Sequence, residues 1–396
     1  MQFDGMSWPP IKDSQDGVYK LARTIESLKA LGDPHKKLHN IIHIAGTNGK
    51  GSTCAFLSNI FLKNGYTCNV YTSPHLVNIN ERIQLSNGAI SDTKLINYTR
   101  EVYLKLKSVQ LESSLTFFEG ITVLMFYIFA KEKADFNIIE VGLGGRYDAT
   151  NVIVNPLLNI ITGISLDHQE YLGSTPSFIA VEKCEIIKKS SAIMGVQKFS
   201  NAYDVFTHKC QEIGAEAYLC REILTFNNKI DDSYQAQNAT LAIKAIEVIS
   251  QKLGMTFHNC INAVVNTQWR GRMQTVYAEG VEVLVDCAHN IDGISKFLEY
   301  IGKQDGTKVL IFGMLQRKYH EEILIEIRKY LNIVDIIAIN FDADSECVDT
   351  KLLSQNLNNC VVANSFSQAM GMSSKYDKAF LCGSIYMVGE FLRRYE

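Results

Sequence analysis

A glycine-rich turn carrying one lysine is the feature of this sequence that most directly indicates chemistry. The segment GTNGKGST (Gly46–Thr53) follows the apolar run Ile41–Ala45 and precedes a helix-forming stretch. Glycines let backbone N–H groups turn inward on a phosphate, a helix N-terminus favours anions, and Lys50 can reach the β and γ oxygens. Ser52 or Thr53 can offer a hydroxyl to Mg²⁺. The segment therefore predicts a nucleotide-binding phosphate loop.

This loop departs from the common pattern G-x-x-x-x-G-K-[ST] at two positions. Position 44 is Ile rather than Gly, and Gly51 stands between the lysine and the serine. A GTP-binding switch is an alternative, because residues 228–231 spell the guanine-reading N-K-x-D. No D-x-x-G follows Lys50, and Asn and Asp are common turn and cap residues before a helix, so a chance match is favoured.

Composition and charge exclude several other classes of protein. The 396 residues are 46% hydrophobic and 20% charged, a globular balance that predicts two cores rather than one. Lys+Arg at 39 and Asp+Glu at 42 leave no basic excess for a nucleic-acid backbone. The chain starts unlike a signal peptide, and its longest apolar stretch, residues 121–130, is short of the ~20 that span a bilayer. Ten cysteines without a C-x-x-C pair indicate reduced thiols, so we expect a cytoplasmic protein.

The elements that must position the loop alternate between short apolar runs and longer helix-period segments. Near-continuously apolar strands separated by helices predict a parallel sheet that is covered on both faces. The predicted strands are Ile41–Ala45, Asn69–Thr72, Ile138–Val141, Leu158–Thr162, Ile193–Val196, Val283–Asp286, Lys308–Phe312, Ile336–Asn340 and Ala379–Cys382. A long amphipathic helix is predicted at Tyr234–Leu253, with Gly254 as its stop.

These elements predict an α/β protein of two domains. Residues 1–268 form the larger domain, a parallel sheet that carries the phosphate loop, and residues 269–396 form a smaller α/β domain. The boundary is placed beside the segment Trp269–Arg272. Ligand sites on open parallel sheets lie at the carboxyl ends of the strands, and several polar residues discussed below follow such ends.

Segments spread in order over nearly the whole chain resemble the folylpolyglutamate synthase/dihydrofolate synthase family of the Mur ligase superfamily. The segments that carry this resemblance are LGDPH (31–35), HIAGTNGKGS (43–52), TSPHL (72–76), NERI (80–83), LTFFE (115–119), EVGLGGRYDATN (140–151), DH (167–168), EKCEIIK (182–188), GR (271–272), DCAHN (286–290) and GSIY (383–386). The resemblance implies a P-loop ATP-binding domain of the Mur central-domain type, followed by a Rossmann-like glutamate-ligase domain.

The activity that the resemblance implies is an ATP-dependent ligation of L-glutamate to dihydropteroate and to the γ-carboxyl of reduced folates. A carboxylate becomes an acyl phosphate and is then attacked by an amine, which requires positioning and charge neutralisation rather than a protein nucleophile. We expect a bifunctional, monomeric enzyme whose partners are these small molecules, and a monofunctional folylpolyglutamate synthase remains open. A cell-wall Mur ligase is disfavoured because only about 40 residues precede the loop, fewer than the ~50 of a domain.

The same resemblance implies a nucleotide site built from both domains. The implied ATP contacts are Asn48, Gly49, Lys50, Gly51, Ser52, Asn238, Arg272 and Asp286. Closure of the domains over ATP would exclude water from an acyl phosphate that hydrolyses readily.

Two Mg²⁺ ions are implied as well, with Ser73, Glu140 and His168 as ligands. Glu140 ends an apolar strand before a glycine-rich turn, where a carboxylate suits Mg²⁺; from context alone a surface acid is the alternative. Similarly, a lone histidine such as His168 is more often an ordinary loop residue.

Lys183 matches a lysine that is carbamylated in members of the family, which turns a cation into a carboxylate able to bind metal. The modification needs a neutral amine, so burial or a nearby metal must lower its pKa. Cys184 and Glu185 replace the usual Ala-Gly after this lysine. The alternative is a salt bridge from Lys183 to Glu182, Glu185 or another acid.

The resemblance also implies which residues take part in catalysis and which contact the substrates. The catalytic group consists of Lys50, Lys183 and His289. The pterin-side contacts are Thr116, Phe117, Phe118, Glu119 and Tyr147, although an aromatic pair at a helix start is equally typical of a core. Ser384, together with His289, would hold glutamate or phosphate. Gln316–Tyr319 lacks the acids that family members carry after Gly-Met-Leu.

Overall fold

The structure, a computed structural model, describes residues 1–3, 6–10, 21–226, 230, 234–316, 321–330, 334–342, 347–357 and 359–396. Two compact units are formed, Met1–Thr267 and Gln268–Glu396. Both are α/β units, so the predicted two-domain α/β class is confirmed. Apart from Ile230 and Gln316, the N-K-x-D tetrapeptide and the segment Gln316–Tyr319 lie outside the described residues.

All the predicted strands are present, and the helix Tyr234–Leu253 matches to the residue. The strands are β1 (Gln2–Phe3), β2 (Met6–Ser7), β3 (Ile41–Ala45), β4 (Cys68–Tyr71), β5 (Ile83–Leu85), β6 (Gly88–Ala89), β7 (Phe136–Glu140), β8 (Leu158–Ile161), β9 (Ser191–Met194), β10 (Ala217–Leu219), β11 (Gln274–Ala278), β12 (Val281–Val285), β13 (Lys308–Phe312), β14 (Asp335–Ile339), β15 (Cys360–Ala363) and β16 (Lys378–Cys382). The helices are α1 (Leu21–Ala30), α2 (Lys50–Lys63), α3 (Asp92–Lys107), α4 (Phe117–Lys131), α5 (Gln169–Leu172), α6 (Pro176–Cys184), α7 (Asn201–Ile213), α8 (Tyr234–Leu253), α9 (Cys260–Val265), α10 (Ile291–Gly302), α11 (Glu321–Arg328), α12 (Thr350–Asn356), α13 (Phe366–Ser373) and α14 (Ile385–Tyr395).

The N-terminal unit is built on an eight-stranded sheet with the order β10-β9-β8-β3-β7-β4-β5-β6. The six strands from β10 to β4 run parallel, as predicted, and β5 and β6 add an antiparallel edge that the sequence analysis missed. These edge strands have three and two residues, which is too short for an alternating pattern to stand out. The central strand β3 lies between β7 and β8, so the loop that follows it emerges at the middle of the carboxyl edge.

Both faces of this sheet are buried, which explains why its central strands read as continuous apolar runs. Ile42 and Ile138 face the side covered by α2 and α8, where Phe61 of α2 stacks on Phe136 with ring centroids 3.9 Å apart. Ile41 and Ile139 face the opposite side, which α1, α3 and α4 cover.

The C-terminal unit is a six-stranded sheet with the order β11-β12-β16-β13-β14-β15. Among the strands that the structure describes in this unit, only β11 is antiparallel, as the outer strand of a hairpin with β12. Its core includes Phe297, Phe312 and Phe380, packed under α10, α11 and α12. Among the residues that the structure describes, no helix has the length and apolar character needed to cross a membrane.

One polar side chain lies inside the central strand of the N-terminal unit. His43 is fully buried, and its Nε2 lies 2.8 Å from the Thr150 hydroxyl. Burial, with a smaller contribution from the charge of Lys188, lowers the pKa of His43 to about 3. The imidazole is therefore neutral in the folded protein at neutral pH.

This burial predicts a specific loss of stability in acid. In the unfolded chain His43 regains a pKa near 6.5, so between about pH 6.5 and 3 the unfolded state binds the extra proton and stability falls as the pH falls. We expect the fall in unfolding free energy between pH 7 and pH 5 to be smaller by about 2 kcal/mol in His43→Gln. Chemical denaturation at both pH values measures it. His39→Gln, which changes an exposed histidine, is the control; equal pH responses of His43→Gln and wild type would contradict the prediction.

Candidate active site

The phosphate loop is held in a conformation that only glycine permits at two positions. Gly46 has φ of 151° and Gly49, which caps α2, has φ of 92°. A Cβ on Gly46 would lie 1.8 Å from Oγ1 of Thr162, and one on Gly49 would lie 2.1 Å from Oδ1 of Asn238. The loop thus passes directly against the end of β8 and against α8. Asn238, predicted to contact nucleotide, is buried beside the loop.

Hydrogen bonds fasten the loop to the segment after β8. Thr47 N–H donates to Gly163 O at 2.8 Å, and the Thr47 hydroxyl donates to Ser165 O at 3.0 Å. The Thr162 hydroxyl donates to Asn48 O at 2.8 Å. Thr162 and Ser165 were not predicted as site residues; their place at the end of the predicted strand Leu158–Thr162 and just after it, at the ligand-binding edge, was the available signal.

The first turn of α2 carries both hydroxyls that were predicted to be offered to a metal, and their contacts distinguish them. Thr53 donates its hydroxyl to Gly49 O at 2.9 Å within the helix. Ser52 lies in the same turn and is buried. This geometry favours Ser52 over Thr53 as the group offered to a metal.

Two lysines converge on one carbonyl oxygen at the start of this loop. Lys50 Nζ donates to Gly46 O at 3.0 Å and to Thr47 O at 3.2 Å. Lys183, in the last turn of α6 and buried, donates to the same Gly46 O at 2.9 Å. Burial, followed by the positive charge of Lys50, lowers the pKa of Lys183 to about 7. Near neutral pH, Lys183 can therefore carry the neutral amine that its predicted modification requires.

The acids next to Lys183 have other partners. Glu182 pairs with Arg146 at 3.0 Å, and Glu185 pairs with Lys209 at 3.1 Å and with Arg146 at 3.5 Å. The alternative in which Lys183 forms a salt bridge with one of these glutamates is therefore not what the structure contains.

Glu140 ends β7 and is buried at the carboxyl edge of the sheet. Its Oε2 accepts a hydrogen bond from Ser73 N–H at 2.9 Å, so two of the predicted metal ligands are in contact. His168 precedes α5 with φ of 50°, and its ring nitrogens lie 3.9 Å from Asp167 and 3.8 Å from Glu170. Within the described residues there is no cluster of three or more His, Cys, Asp or Glu that could hold a metal.

A buried carboxylate that the sequence analysis did not single out organises the glycine-rich turn after Glu140. Asp148 accepts from Gly142 N–H at 3.0 Å, Leu143 N–H at 2.9 Å and the Thr150 hydroxyl at 2.6 Å. Burial raises the pKa of Asp148. Asx turns are recognisable from sequence, but the aspartate's reach across six residues is not.

All the pterin-side candidates except Tyr147 lie at the N-terminus of α4. Thr116 caps this helix and forms a reciprocal capping box with Glu119. The Phe118 ring packs against Gly142, where a Cβ would lie 2.3 Å from Cζ, and Phe117 lies under the Arg82 guanidinium at 5.4 Å. Both rings are half-buried and Tyr147 is 56% exposed. The structure thus brings the aromatic pair beside the turn that follows Glu140.

The candidates of the C-terminal unit lie at the carboxyl edge of its own sheet. Asp286 follows β12 and accepts from Met273 N–H at 3.1 Å and Ala288 N–H at 2.9 Å. His289 places Nδ1 2.8 Å from Cys287 O. Ser384 follows β16 and caps α14, and Arg272 precedes β11. Because β12 and β16 are adjacent and parallel, Asp286 and Ser384 end neighbouring strands.

Comparison with known proteins matches both units. Residues 44–268 match the Mur ligase middle domain, and residues 271–379 match the Mur ligase glutamate ligase domain. The chain is 30% identical to the dihydrofolate synthase/folylpolyglutamate synthase of Bacillus subtilis over 94% of each chain. Its fold matches the bifunctional folylpolyglutamate synthase/dihydrofolate synthase of Yersinia pestis at 25% identity with a TM-score of 0.83, covering 97% of this chain and 95% of that one. It also matches E. coli FolC in complex with ADP at 26% identity and a TM-score of 0.81, covering 95% and 94%.

The packing of Gly145 predicts a sensitive position in this site. An added Cβ would lie 2.6 Å from Glu182 O and 2.9 Å from Lys183 O, and backbone atoms cannot yield as a flexible side chain can. We expect Gly145→Ala to displace α6 and to lower the unfolding free energy by about 1–3 kcal/mol, as overpacking does. Thermal unfolding measures this. Gly163→Ala is the matched control, since its Cβ would lie 3.9 Å from the nearest atom, Asn48 O; equal melting temperatures for the two variants would refute the prediction.

Proposed function

The chain belongs to the dihydrofolate synthase/folylpolyglutamate synthase family of Mur ligases, and on this premise we propose that it adds L-glutamate both to dihydropteroate and to the γ-carboxyl of reduced folates. It is an ATP-dependent ligase, as its relatives of this family are. The observation that carries the proposal is the convergence of Lys50 and Lys183 on Gly46 O beside a glycine-rich phosphate loop. The bifunctional names of the Bacillus and Yersinia relatives support the dual activity.

The reaction divides into two displacements. A carboxylate oxygen of the pteroate or folate attacks the γ-phosphorus of ATP, ADP departs, and an acyl phosphate forms. The amine of glutamate then attacks the acyl carbon, inorganic phosphate departs, and the amine loses a proton. Lys50 and the inward-facing amides of the loop would neutralise the transferred phosphoryl group, and Asn238 would orient the nucleotide against Gly49.

The donor set beside the loop fits Mg²⁺. This ion binds one or two carboxylates and completes its shell with phosphate oxygens and water, so it does not need a dense protein cage. Glu140 and Ser73 are in contact at the carboxyl edge of the sheet, and they, with His168, would hold two ions. When bound, the metal supplies neutralisation of the charge that develops on the phosphates.

Lys183 is proposed to work as a carbamate. The protonated side chain would first lose one proton; the neutral amine would then attack CO₂, forming an N–C bond as one C–O π bond opens, and a second proton would leave. A buried cation would thereby become an anion. The change removes the repulsion between Lys183 and Lys50, which share Gly46 O. It would also add a carboxylate to the Ser73, Glu140 and His168 set.

The substrates are proposed to divide between the two units. Thr116, Phe117, Phe118, Glu119 and Tyr147 are assigned to the pterin side in Met1–Thr267. His289 and Ser384 of Gln268–Glu396 are assigned to glutamate or phosphate, and Arg272 and Asp286 to ATP. These assignments extend the family's pattern to the matching positions of this chain.

A direct test measures ADP release with Mg²⁺, ATP and L-glutamate, using dihydropteroate in one reaction and a tetrahydrofolate monoglutamate in another. We expect glutamate-dependent turnover with both, and loss of both in Lys50→Met, because the charge at the γ-phosphate is removed. Turnover with the folate alone would make the enzyme a monofunctional folylpolyglutamate synthase. Turnover with neither would overturn the folate assignment.

The carbamate is tested with ¹³C-labelled bicarbonate and ¹³C NMR. Because the pKa of Lys183 lies at about 7, its neutral fraction rises as the pH rises from 6 to 8, so the carbamate signal should strengthen over that range. Lys183→Arg should abolish the signal. Lys188→Arg is the control, because burial lowers the pKa of Lys188 as well, yet Lys188 is only partly buried and donates to Glu185 O rather than to the loop. A signal that persists in Lys183→Arg would rule out this site of modification.

A further inference from the structure

The family resemblance assigns Glu119 to substrate contact, whereas in the structure its carboxylate is bound by other residues of the protein. Its carboxylate is buried, with a side-chain exposure of 6%. Oε2 accepts from Thr116 N–H at 2.7 Å, which closes the capping box of α4. Oε1 accepts two hydrogen bonds from Arg23, from Nε at 3.2 Å and from Nη2 at 3.0 Å. Both oxygens of Glu119 are therefore engaged by the protein itself.

Arg23 comes from a distant part of the chain. It lies in the first turn of α1, 96 positions before Glu119, and α1 packs against α4. A guanidinium that donates two hydrogen bonds to one carboxylate fixes orientation as well as distance, which a lysine cannot reproduce. The pair thus ties the N-terminus of α4 to a helix that precedes the phosphate loop.

The first turn of α4 is fixed by close packing on two further sides. A Cβ on Gly120 would lie 2.5 Å from Pro9, so the N-terminal segment covers that side. The Phe118 ring packs against Gly142, two residues after Glu140. A small rotation of this turn would carry Phe118 away from the turn that follows Glu140.

We infer that Arg23, acting through Glu119, is a positioning residue that sets the aromatic pair Phe117–Phe118 against the carboxyl edge of the sheet. The inference rests on the proposed function, in which this pair forms the pterin side of the substrate site. It reassigns Glu119 from substrate contact to support. Arg23 and Glu119 would affect the binding of the pteroate or folate substrate and not of ATP. The phosphate loop is held by different residues, Thr162 and Ser165.

The test is a double-mutant cycle with Arg23→Met, Glu119→Gln and the double variant, with KM measured separately for dihydropteroate and for ATP. Glutamine at this position keeps the capping box while removing the charge. We expect each single variant to raise the KM for dihydropteroate roughly tenfold, as a displaced positioning group does, with the KM for ATP within about twofold. The double variant should match the single ones, since the two residues act as one unit. Arg23→Lys should lie between Arg23→Met and wild type.

Lys94→Met is the matched control. Lys94 forms an ion pair at 2.8 Å with Glu132, which lies at the C-terminal end of α4, opposite the end that Glu119 caps. If the effects of Arg23→Met and Glu119→Gln on the KM for dihydropteroate multiply in the double variant, Glu119 contacts the substrate directly. That result would overturn the inference. So would an unchanged dihydropteroate KM in Arg23→Met, or an equal rise in Lys94→Met. If Arg23→Met fails to fold, Arg23→Lys and Glu119→Gln carry the same comparison. A wild-type enzyme without folate-dependent ADP release would instead remove the proposed function, and this inference with it.

Discussion

The carbonyl oxygen of Gly46 is the point on which the N-terminal site depends. It accepts from Lys50 and Lys183, two side chains that would repel each other if both carried charge. Burial and that repulsion together lower the pKa of Lys183 to about 7, which makes its neutral form available near neutral pH. The geometry requires glycine at position 46, because a Cβ would collide with Thr162. The Lys183 hydrogen bond and the close contact with Thr162 hold helix α6 and the end of strand β8 against the phosphate loop.

The buried acids discussed for the N-terminal unit fall into two groups with different roles. Asp148 and Glu119 use their oxygens to hold backbone N–H groups and a guanidinium, and they shape the turns on which other residues stand. Glu140 lies at the strand end itself, in contact with Ser73 N–H, where a metal and phosphates would be drawn. The role of each carboxylate is therefore indicated by its hydrogen-bond partners and its position in the sheet, and not by its presence in a motif. The same distinction holds in the C-terminal unit, where Asp286 anchors Met273 and Ala288 by their amides.

The departure from the family's pattern that follows Lys183 is accommodated by local contacts. Glu185, in place of a small residue after Lys183, finds Lys209 and Arg146, and it does not compete for Lys183. Cys184 turns into the apolar core with Ile179 and Phe206. Neither of the two residues that follow Lys183 therefore takes part in its hydrogen bond to Gly46 O, since Glu185 pairs with other side chains and Cys184 packs in the core.

The sequence by itself determined the fold class, the buried strands and the phosphate loop. Strands covered on both faces must be apolar throughout, and glycines followed by a lysine at a helix start have few other uses. Edge strands such as β5 and β6 escaped detection because two or three residues carry no period. Only the tertiary structure decided that Lys183 reaches Gly46 O across 137 positions and shares it with Lys50, that Asn238 lies against Gly49, and that Glu119 is bound by Arg23. Hydrogen-bond partners and burial are set by which chain segments the sheet order brings together, and residue type and spacing along the sequence do not encode that proximity.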